Sequence, residues 1–276
     1  MIALRRITLV VFGVLGSSIF GSNLLASATP GRIIGDNDLV QVPASYANDP
    51  RVQSIGKLKV GCTATHLGNG IAITAGHCFA RSNFAGVREN LPCSEAKYSV
   101  RWGVTYGSEG YLTSQCTAVV AMELNSERDY AIFRVSPIPP SSIPISLEKV
   151  NMGDDISIFS HPRMRPLEWS QWCKVEGFVQ KSHGNQFYYS CDTEGGSSGA
   201  GVLDKDYKFV GIHNYYNAHL NRNGATLLSV TPIANILRAE QTRSVLGSEA
   251  GLVALPLLRS KAPLLFSTAF PAVEAR

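Results

Sequence analysis

The sequence predicts an all-β protein built from β-barrels, with one helix near the C-terminus. After residue 50, short apolar runs alternate with turn residues. Many short strands at even spacing are typical of barrels. A proline-rich segment at 136–144 separates two sets of these runs. Because proline has no backbone N–H to donate to a sheet, we expect this segment to connect two β units.

Each apolar run is short enough to be a single strand. The predicted strands are 57–60, 71–74, 98–104, 118–124 and 130–135 before the proline-rich segment, and 155–160, 173–180, 186–191, 201–204, 209–213 and 226–230 after it. A helix is predicted over 232–241, because Thr231 can cap its N-terminus and Pro232 suits the first helical position.

The N-terminus has the pattern of an export signal. Arg5 and Arg6 precede an apolar stretch at 7–20, and Ala26-Ser27-Ala28 offers a small-x-small cleavage site. We therefore expect 1–28 to be a signal peptide, 29–32 a short propeptide, and the protein to be secreted, either extracellular or periplasmic. A membrane anchor is the alternative, but the stretch is shorter than the roughly 20 residues that a spanning helix needs.

Charge argues against a nucleic-acid partner. The chain of 276 residues has a formal net charge of +4, but three of its 25 basic residues, Arg5, Arg6 and Arg32, lie in the first 32 positions. The rest of the chain is nearly neutral and contains no Lys/Arg run of nucleic-acid type. With 45% hydrophobic residues, it can bury a substantial core.

Six cysteines in an exported chain indicate disulfide bonds. They allow 15 connectivities, which the sequence alone does not settle. We expect a Cys62–Cys78 bond, because this pair brackets a strand and turn that carry a histidine. Local pairing of the others gives Cys93–Cys116 and Cys173–Cys191. Zinc is the competing interpretation, but no C-x-x-C pair occurs, and we expect no metal.

The predicted domain boundaries follow the proline-rich connector. Residues 33–150 form the first β-barrel, and 151–246 form the second β-barrel with the C-terminal helix. Residues 247–276 are apolar, rich in proline and poor in acidic residues. We interpret them as a loose or removable tail; a packed extension or a sorting segment is the alternative.

Two short motifs point to nucleophilic catalysis. Residues 74–78 read TAGHC, and 196–201 read GSSGAG. A serine nucleophile needs a base to take its proton and a tight turn whose N–H groups face the developing oxyanion. Asp129, between the two motifs, can fix the tautomer of His77. The order His, Asp, Ser is that of chymotrypsin and not that of the α/β-hydrolases.

On these motifs, the chain resembles the chymotrypsin-like serine proteases, and more narrowly the bacterial glutamyl endopeptidases. The resemblance runs from about residue 33 to about 241, and includes IIGDND at 33–38 and VGIH at 210–213. It implies two antiparallel six-stranded β-barrels with the cleft between them. His77 and Asp129 come from the first barrel and Ser198 comes from the second. It implies no cofactor.

Within the serine motif, Ser198 is the predicted nucleophile. The residue after the nucleophile should be glycine, so that the chain can turn sharply; Ser198 precedes Gly199, whereas Ser197 precedes another serine. His77 is then the general base and acid, and Asp129 orients it. The backbone N–H groups of Gly196 and Ser198 are predicted to form the oxyanion hole.

The sequence leaves substrate preference open. Thr193 and His213 fall where glutamyl endopeptidases hold the substrate glutamate, and both can donate hydrogen bonds to a carboxylate. Asp192, six residues before Ser198, instead has the spacing that selects Arg or Lys in trypsin-like relatives. The resemblance also predicts cleavage after Arg32. Ile33 would then be near an acidic substrate side chain.

The predicted function is a secreted serine endopeptidase that acts on proteins or peptides through an acyl-enzyme and prefers Glu or Asp before the scissile bond. The alternatives are a basic preference set by Asp192, an esterase, and a non-catalytic protease-like binding module. We expect a monomer without a stable membrane anchor.

Overall fold

The strands form two closed rings of six, one in each half of the chain. The computed structural model describes residues 31–179, 185–230 and 232–251. In chain order, the strands are β1 (Val40–Gln41), β2 (Ile55–Leu58), β3 (Cys62–Gly68), β4 (Ile71–Thr74), β5 (Phe84–Leu91), β6 (Val100–Thr105), β7 (Ser108–Leu124), β8 (Asp129–Ser136), β9 (Asp155–Ser160), β10 (Glu168–Phe178), β11 (Gln186–Tyr189), β12 (Gly201–Asp204), β13 (Phe209–Asn217) and β14 (Arg222–Leu227).

Antiparallel pairing closes both barrels. The first ring has the order β7-β6-β2-β3-β4-β8, and β8 pairs back to β7. The second has the order β10-β11-β14-β13-β12-β9, and β9 pairs back to β10. One further strand attaches to each ring, β5 to β7 and β1 to β10. The predicted pair of six-stranded barrels is therefore confirmed.

The two barrels share a buried core, which fixes their relative position. Ile73 of the first barrel belongs to one apolar cluster with Phe159 and Phe209 of the second. The described residues include two α-helices, α1 (Pro50–Gln53) and α2 (Ile233–Gly251). Ile233 and Leu237 of α2 join the same cluster, so the first turns of this helix pack against the core that the two barrels share. Across the described ranges, no helix has the length and apolar character to cross a lipid bilayer.

Two segments differ from the predicted boundaries. Strand β1 pairs with β10, with Val40 opposite Trp169, so the beginning of the predicted first-barrel segment 33–150 belongs to the sheet of the second barrel. Helix α2 continues beyond the predicted 232–241 and past the predicted boundary at 246. Thr231, predicted to cap it, and most of the predicted tail, 252–276, lie outside the described residues.

Strand β3 is the most informative strand that the sequence pattern missed. Its threonines make it look like a loop, but Thr63 and Thr65 are fully buried. The hydroxyl of Thr63 donates to Gly196 O (2.8 Å), and that of Thr65 accepts the N–H of Gly201 (3.1 Å). Burial of these hydroxyl groups is tolerated because each one makes a hydrogen bond to the other barrel.

The three predicted disulfide bonds are all formed. They join Cys62 to Cys78, Cys93 to Cys116 and Cys173 to Cys191, and the described residues include no free cysteine. Three bonds of this kind indicate folding in an oxidising compartment, outside the reducing cytosol.

Candidate active site

His77 lies in a 3₁₀ turn, Gly76–Cys78, that follows β4. A glycine is needed before it, because a Cβ at Gly76 would lie 2.4 Å from a backbone carbonyl oxygen of β7 and 3.1 Å from Asp129 Oδ1. The disulfide bond to Cys62 holds Cys78 on the other side. The turn therefore fixes the His77 backbone, while about a quarter of its side chain (25%) stays exposed.

Asp129 holds His77 at two points. It stands at the start of β8 and is 5% exposed. One carboxylate oxygen accepts the His77 backbone N–H (2.9 Å), and the other lies 2.7 Å from His77 Nδ1. The second contact assigns the proton of the neutral ring to Nδ1 and leaves Nε2 to act as a base.

The charge and the hydrogen bond of Asp129 together outweigh the effect of burial on the pKa of His77. Burial by itself lowers the pKa of the imidazole, since it disfavours the charged form. The negative charge of Asp129 and its hydrogen bond act in the opposite direction. Together they raise the pKa of His77 above its ordinary value of 6.5. The ring is therefore a stronger base than a free histidine.

Two residues of the second barrel hold the backbone of Asp129. Asn214 in β13 donates through its side-chain amide to Asp129 O (3.1 Å) and to Thr226 Oγ1 (2.6 Å). The hydroxyl of Thr226, in β14, lies 3.4 Å from the Asp129 backbone N. The sequence analysis missed both residues, because nothing in their local sequence marks them; only the adjacency of Asn214 to His213 draws attention to it.

The backbone of Ser198 lies against the histidine strand and turn. Its carbonyl oxygen accepts the Thr63 N–H (2.9 Å) and lies 4.0 Å from Cys78 Sγ. The next residue, Gly199, has φ +87°, and a Cβ there would lie 1.9 Å from Thr74 Oγ1. Only glycine allows this approach. The structure therefore brings the loop of Ser198 beside the turn of His77, although they belong to different barrels.

Ser197 has a different environment. It is fully buried, and its hydroxyl lies 2.9 Å from Ser160 Oγ and accepts the Glu194 N–H (3.2 Å). Ser198, in contrast to the fully buried Ser197, is 7% exposed. Ser197 thus serves as a structural link inside the second barrel.

The two N–H groups predicted for the oxyanion hole are unused. The carbonyl of Gly195 accepts the Arg163 N–H (2.5 Å), so the N–H of the same peptide unit, that of Gly196, points away from Arg163. Gly196 has φ +99°, and a Cβ there would lie 2.6 Å from His161 O. Within the described part of the chain, neither the Gly196 nor the Ser198 N–H donates a hydrogen bond.

Thr193 and His213 form a pocket with unsatisfied polar atoms. Both are fully buried, and Thr193 Oγ1 and His213 Nε2 have no hydrogen-bond partner among the described residues. The other ring nitrogen of His213 lies 2.8 Å from the Tyr189 hydroxyl. Burial, and then the charge of nearby His77, lower the pKa of His213 to about 3. The pocket histidine is therefore neutral at ordinary pH.

Asp192 points to the N-terminal segment. One of its carboxylate oxygens accepts the Ile34 N–H and the other accepts the Asp38 N–H, both at 2.7 Å. Burial raises the pKa of Asp192, although these two donors favour its charged form. Ile33, which precedes Ile34, is half-buried. Thr193 and His213 therefore lie close together, against the same residue, Gly31. Asp192 instead binds the backbone on the C-terminal side of Ile33.

Asn223 in β14 is a further residue whose role the sequence analysis missed. Its amide group accepts the Arg32 N–H (2.9 Å) and donates to Arg32 O (2.5 Å) and to Cys191 O (2.9 Å). Asn223 therefore ties the N-terminal segment to the pocket wall.

One group of three possible metal ligands occurs in the described part of the chain, formed by Cys62, His77 and Cys78. Its two sulfur atoms are bonded to each other, and a disulfide sulfur lacks the thiolate charge that zinc requires.

A sequence profile of the trypsin-like peptidase domain matches residues 62–212, which is more than half of the chain. The chain belongs to this family. The matched range contains His77, Asp129 and Ser198. No curated protein sequence gives a significant match.

Solved structures show the same fold at low sequence identity. A Glu endopeptidase solved with MPD has 21% identity and a TM-score of 0.59, with 76% of this chain and 99% of that one covered. The VesB protease of Vibrio cholerae has 16% identity and a TM-score of 0.52, covering 78% and 68%. The protease Anisep of Arthrobacter nicotinovorans has 16% identity and a TM-score of 0.50, covering 65% and 91%. The chain therefore has the chymotrypsin-like fold of a serine protease.

Proposed function

We propose that this trypsin-like family member is a secreted serine endopeptidase that prefers Glu or Asp before the scissile bond. Ser198 is the nucleophile, His77 the general base and acid, and Asp129 the residue that orients His77. The paired contacts between Asp129 and His77, at 2.9 and 2.7 Å, support these roles.

The arrangement suits acyl transfer. Ser198 Oγ attacks the substrate carbonyl carbon and its proton passes to His77 Nε2. The free N–H groups of Gly196 and Ser198 donate to the oxygen that becomes negative. His77 then gives its proton to the leaving amine as the C–N bond breaks. A water molecule repeats the sequence on the acyl-enzyme, which releases the acid and restores Ser198.

The unpaired atoms of Thr193 and His213 are the observation that supports an acidic preference. A buried polar atom without a partner costs folding free energy, roughly 1–3 kcal/mol for each lost hydrogen bond. Two such atoms on one small surface indicate that a ligand supplies the missing acceptor. A carboxylate fits, because it accepts hydrogen bonds from both a hydroxyl and an imidazole N–H.

A neutral His213 can still donate to that carboxylate. The Tyr189 hydroxyl can donate to His213 Nδ1 across their 2.8 Å contact, which places the ring proton on Nε2. That nitrogen is the one without a partner. The low pKa of His213 therefore agrees with recognition by a neutral donor.

Asp192 gives little support to a basic preference. Both of its carboxylate oxygens already accept backbone N–H groups. Breaking two such bonds to turn the side chain toward a substrate would be costly, since buried charged groups rely on their hydrogen bonds.

Peptides that differ only at the residue before the scissile bond test this proposal. We expect kcat/KM for Glu to exceed that for Gln by about tenfold or more, because only the carboxylate makes charge-assisted hydrogen bonds. A fluorophosphonate should label Ser198. Preference for Arg would contradict the roles of Thr193 and His213. Failure of the reagent to label Ser198 would favour a binding module, and turnover of simple esters alone would favour an esterase.

We also propose that residues 1–28 direct export, that a short propeptide beginning at residue 29 is removed afterwards, and that the mature protein is a monomer. Intact mass and light scattering of the protein recovered from the medium or periplasm check these points.

A further inference from the structure

The pocket that we assign to the substrate carboxylate is occupied by the chain itself. Gly31 is buried, and a Cβ built on it would lie 2.0 Å from Thr193 Oγ1 and 2.7 Å from His213 Nε2. Its main chain is therefore in direct contact with both unpaired atoms. Gly31 covers these atoms without satisfying them, since neither has a hydrogen-bond partner among the residues that the structure describes.

The segment after Gly31 is held by hydrogen bonds at Arg32, Ile34 and Asp38. Arg32 is bonded through both backbone groups to Asn223, and its carbonyl also accepts the Thr193 N–H (3.2 Å). The Arg32 guanidinium lies 5.0 Å from the centre of the Tyr216 ring. Further along the chain, Asp192 accepts the N–H groups of Ile34 and Asp38, and β1 pairs with β10. In the described part of the chain, Gly31 itself makes no hydrogen bond.

We propose that Gly31 blocks this pocket in the unprocessed chain, and that the activating cut is at the Gly31–Arg32 bond. This inference rests on the proposed function and concerns the regulation of the same site. Hydrolysis adds one water: Gly31 leaves as a carboxylate, and Arg32 gains an α-ammonium group. That group can still donate to Asn223 Oδ1, and the Arg32 carbonyl keeps both of its donors.

A cut after Arg32, which the sequence predicts, would have a different result. Asn223 would lose the backbone N–H and carbonyl that it binds, and the Thr193 N–H would lose its acceptor. Buried polar groups left in this way destabilise the segment. The structure therefore favours an amino terminus one residue earlier, at Arg32.

Three forms of the chain that begin at different positions and are otherwise identical test the proposal. Each is released from a ubiquitin-like fusion partner to begin at Thr29, Arg32 or Ile33, so that all described strands are retained. KM and kcat are measured on one Glu peptide, and the rate of fluorophosphonate labelling is measured on the same samples. Intact mass before and after each assay shows whether the terminus has changed.

Blocking by Gly31 competes with the substrate side chain but not with a small reagent. We expect the Thr29 form to have a KM about tenfold or more above that of the Arg32 form, with equal kcat and equal labelling. The Ile33 form should also have the higher KM and a lower melting temperature. Equal KM for the Thr29 and Arg32 forms would overturn the proposal but leave the protease function standing. Absence of labelling in all three would overturn both.

A substitution in the Thr29 form gives an independent test. Gly31→Ala adds a methyl group that has no room beside Thr193, so it should expel the segment and lower KM toward that of the Arg32 form. Asp36→Ala is the matched control, because Asp36 is exposed on the same segment. An unchanged KM in the Gly31→Ala variant would count against the blocked pocket.

Discussion

The two halves of the active site differ in whether the atoms that act on substrate already have protein partners. On the catalytic side, both Asp129 oxygens bind His77, and Asn214 binds the Asp129 backbone through its amide nitrogen, although Asn214 Oδ1 has no partner in the described part of the chain. On the pocket side, Thr193 Oγ1 and His213 Nε2 are buried and find no partner among the described residues. Asp129, Thr193 and His213 are all buried, so burial alone does not explain the difference.

The contrast separates positioning from recognition. Fully paired groups are rigid and hold a base in one geometry, which catalysis requires. Unpaired buried groups cost stability, and a bound ligand is one partner that can complete them. We infer that the hydrogen bonds of the catalytic half are formed before substrate binds, and that the substrate supplies the missing hydrogen-bond partner in the pocket half. Substitutions in each half should therefore have different consequences.

The largest expected effect is at the nucleophile. Ser198→Ala should lower kcat by a factor of about 10⁶ and abolish fluorophosphonate labelling. Ser197→Ala is the matched control. It should keep labelling but lose roughly 1 kcal/mol of unfolding free energy, because Ser160 loses its partner. Labelling that persists in Ser198→Ala and disappears in Ser197→Ala would reverse the assignment.

The paired half should respond strongly to loss of charge. Asp129→Asn should lower kcat by about 10⁴-fold. It should also move the acid limb of the kcat/KM profile to lower pH. With the charge gone, burial is left to lower the pKa of His77, which Asp129 now holds above 6.5. The profile is measured between pH 4 and 9, a range of about five units around the histidine value.

Asp155→Asn is the control for that experiment, since Asp155 is half exposed and forms an ion pair with Lys174 on the surface. It should leave both kcat and the acid limb unchanged. An acid limb that does not move in Asp129→Asn would mean that His77 is not the titrating base.

The unpaired half should lose selectivity without losing stability. In the chain beginning at Arg32, Thr193→Val should lower kcat/KM for a Glu peptide by roughly 10–100-fold, the value of one hydrogen bond to a charged group. The Gln peptide should change less. Unfolding free energy should stay level or rise, because the lost hydroxyl has no partner.

Thr105→Val is the matched control for the pocket, because the Thr105 hydroxyl is also buried without a partner in the described ranges but belongs to β6. It should not change the ratio of Glu to Gln cleavage. If both variants reduced that ratio equally, the pocket assignment would fail.

The disulfide beside His77 should couple stability to catalysis. Replacing Cys62 and Cys78 by alanine should cost about 3 kcal/mol of unfolding free energy, as expected for a loop of this length. It should also lower kcat by about tenfold, because the histidine turn loosens. Replacing Cys93 and Cys116 should cost a similar free energy and spare kcat. Calorimetry and peptide assays on both pairs make the comparison; equal kcat losses would argue against the coupling.

The smallest effect is expected at the support of Asp129. Asn214→Ala should lower kcat by about fivefold, the equivalent of roughly 1 kcal/mol for a lost hydrogen bond, with KM unchanged. Asn235→Ala, on the exposed face of α2, is the control. A rise in KM with constant kcat would place Asn214 in substrate binding instead.

Local sequence was informative where function needs a particular residue at a particular turn. Gly76 and Gly199 stand where a Cβ would collide with neighbouring atoms, and they flag His77 and Ser198 in the motifs. The same reasoning separated Ser198 from Ser197. Strands were harder to predict, since β3 buries threonines whose partners lie in the other barrel. Hydrophobic periodicity carries no signal for such a strand.

The sequence by itself determined the succession of short strands, the proline-rich connector and the order of the motif residues, because strand patterns and turn residues are local properties. It predicted the three disulfide bonds and, through the family resemblance, the two barrels, and the structure confirmed both. Only the tertiary structure decided which way Asp192 points, what Asn214 and Asn223 hold, and that Gly31 fills the pocket of Thr193 and His213. These depend on segments far apart in the chain, and their partners are chosen by how the two barrels pack. A hydrogen bond between residues 32 and 223 leaves no trace in either neighbourhood.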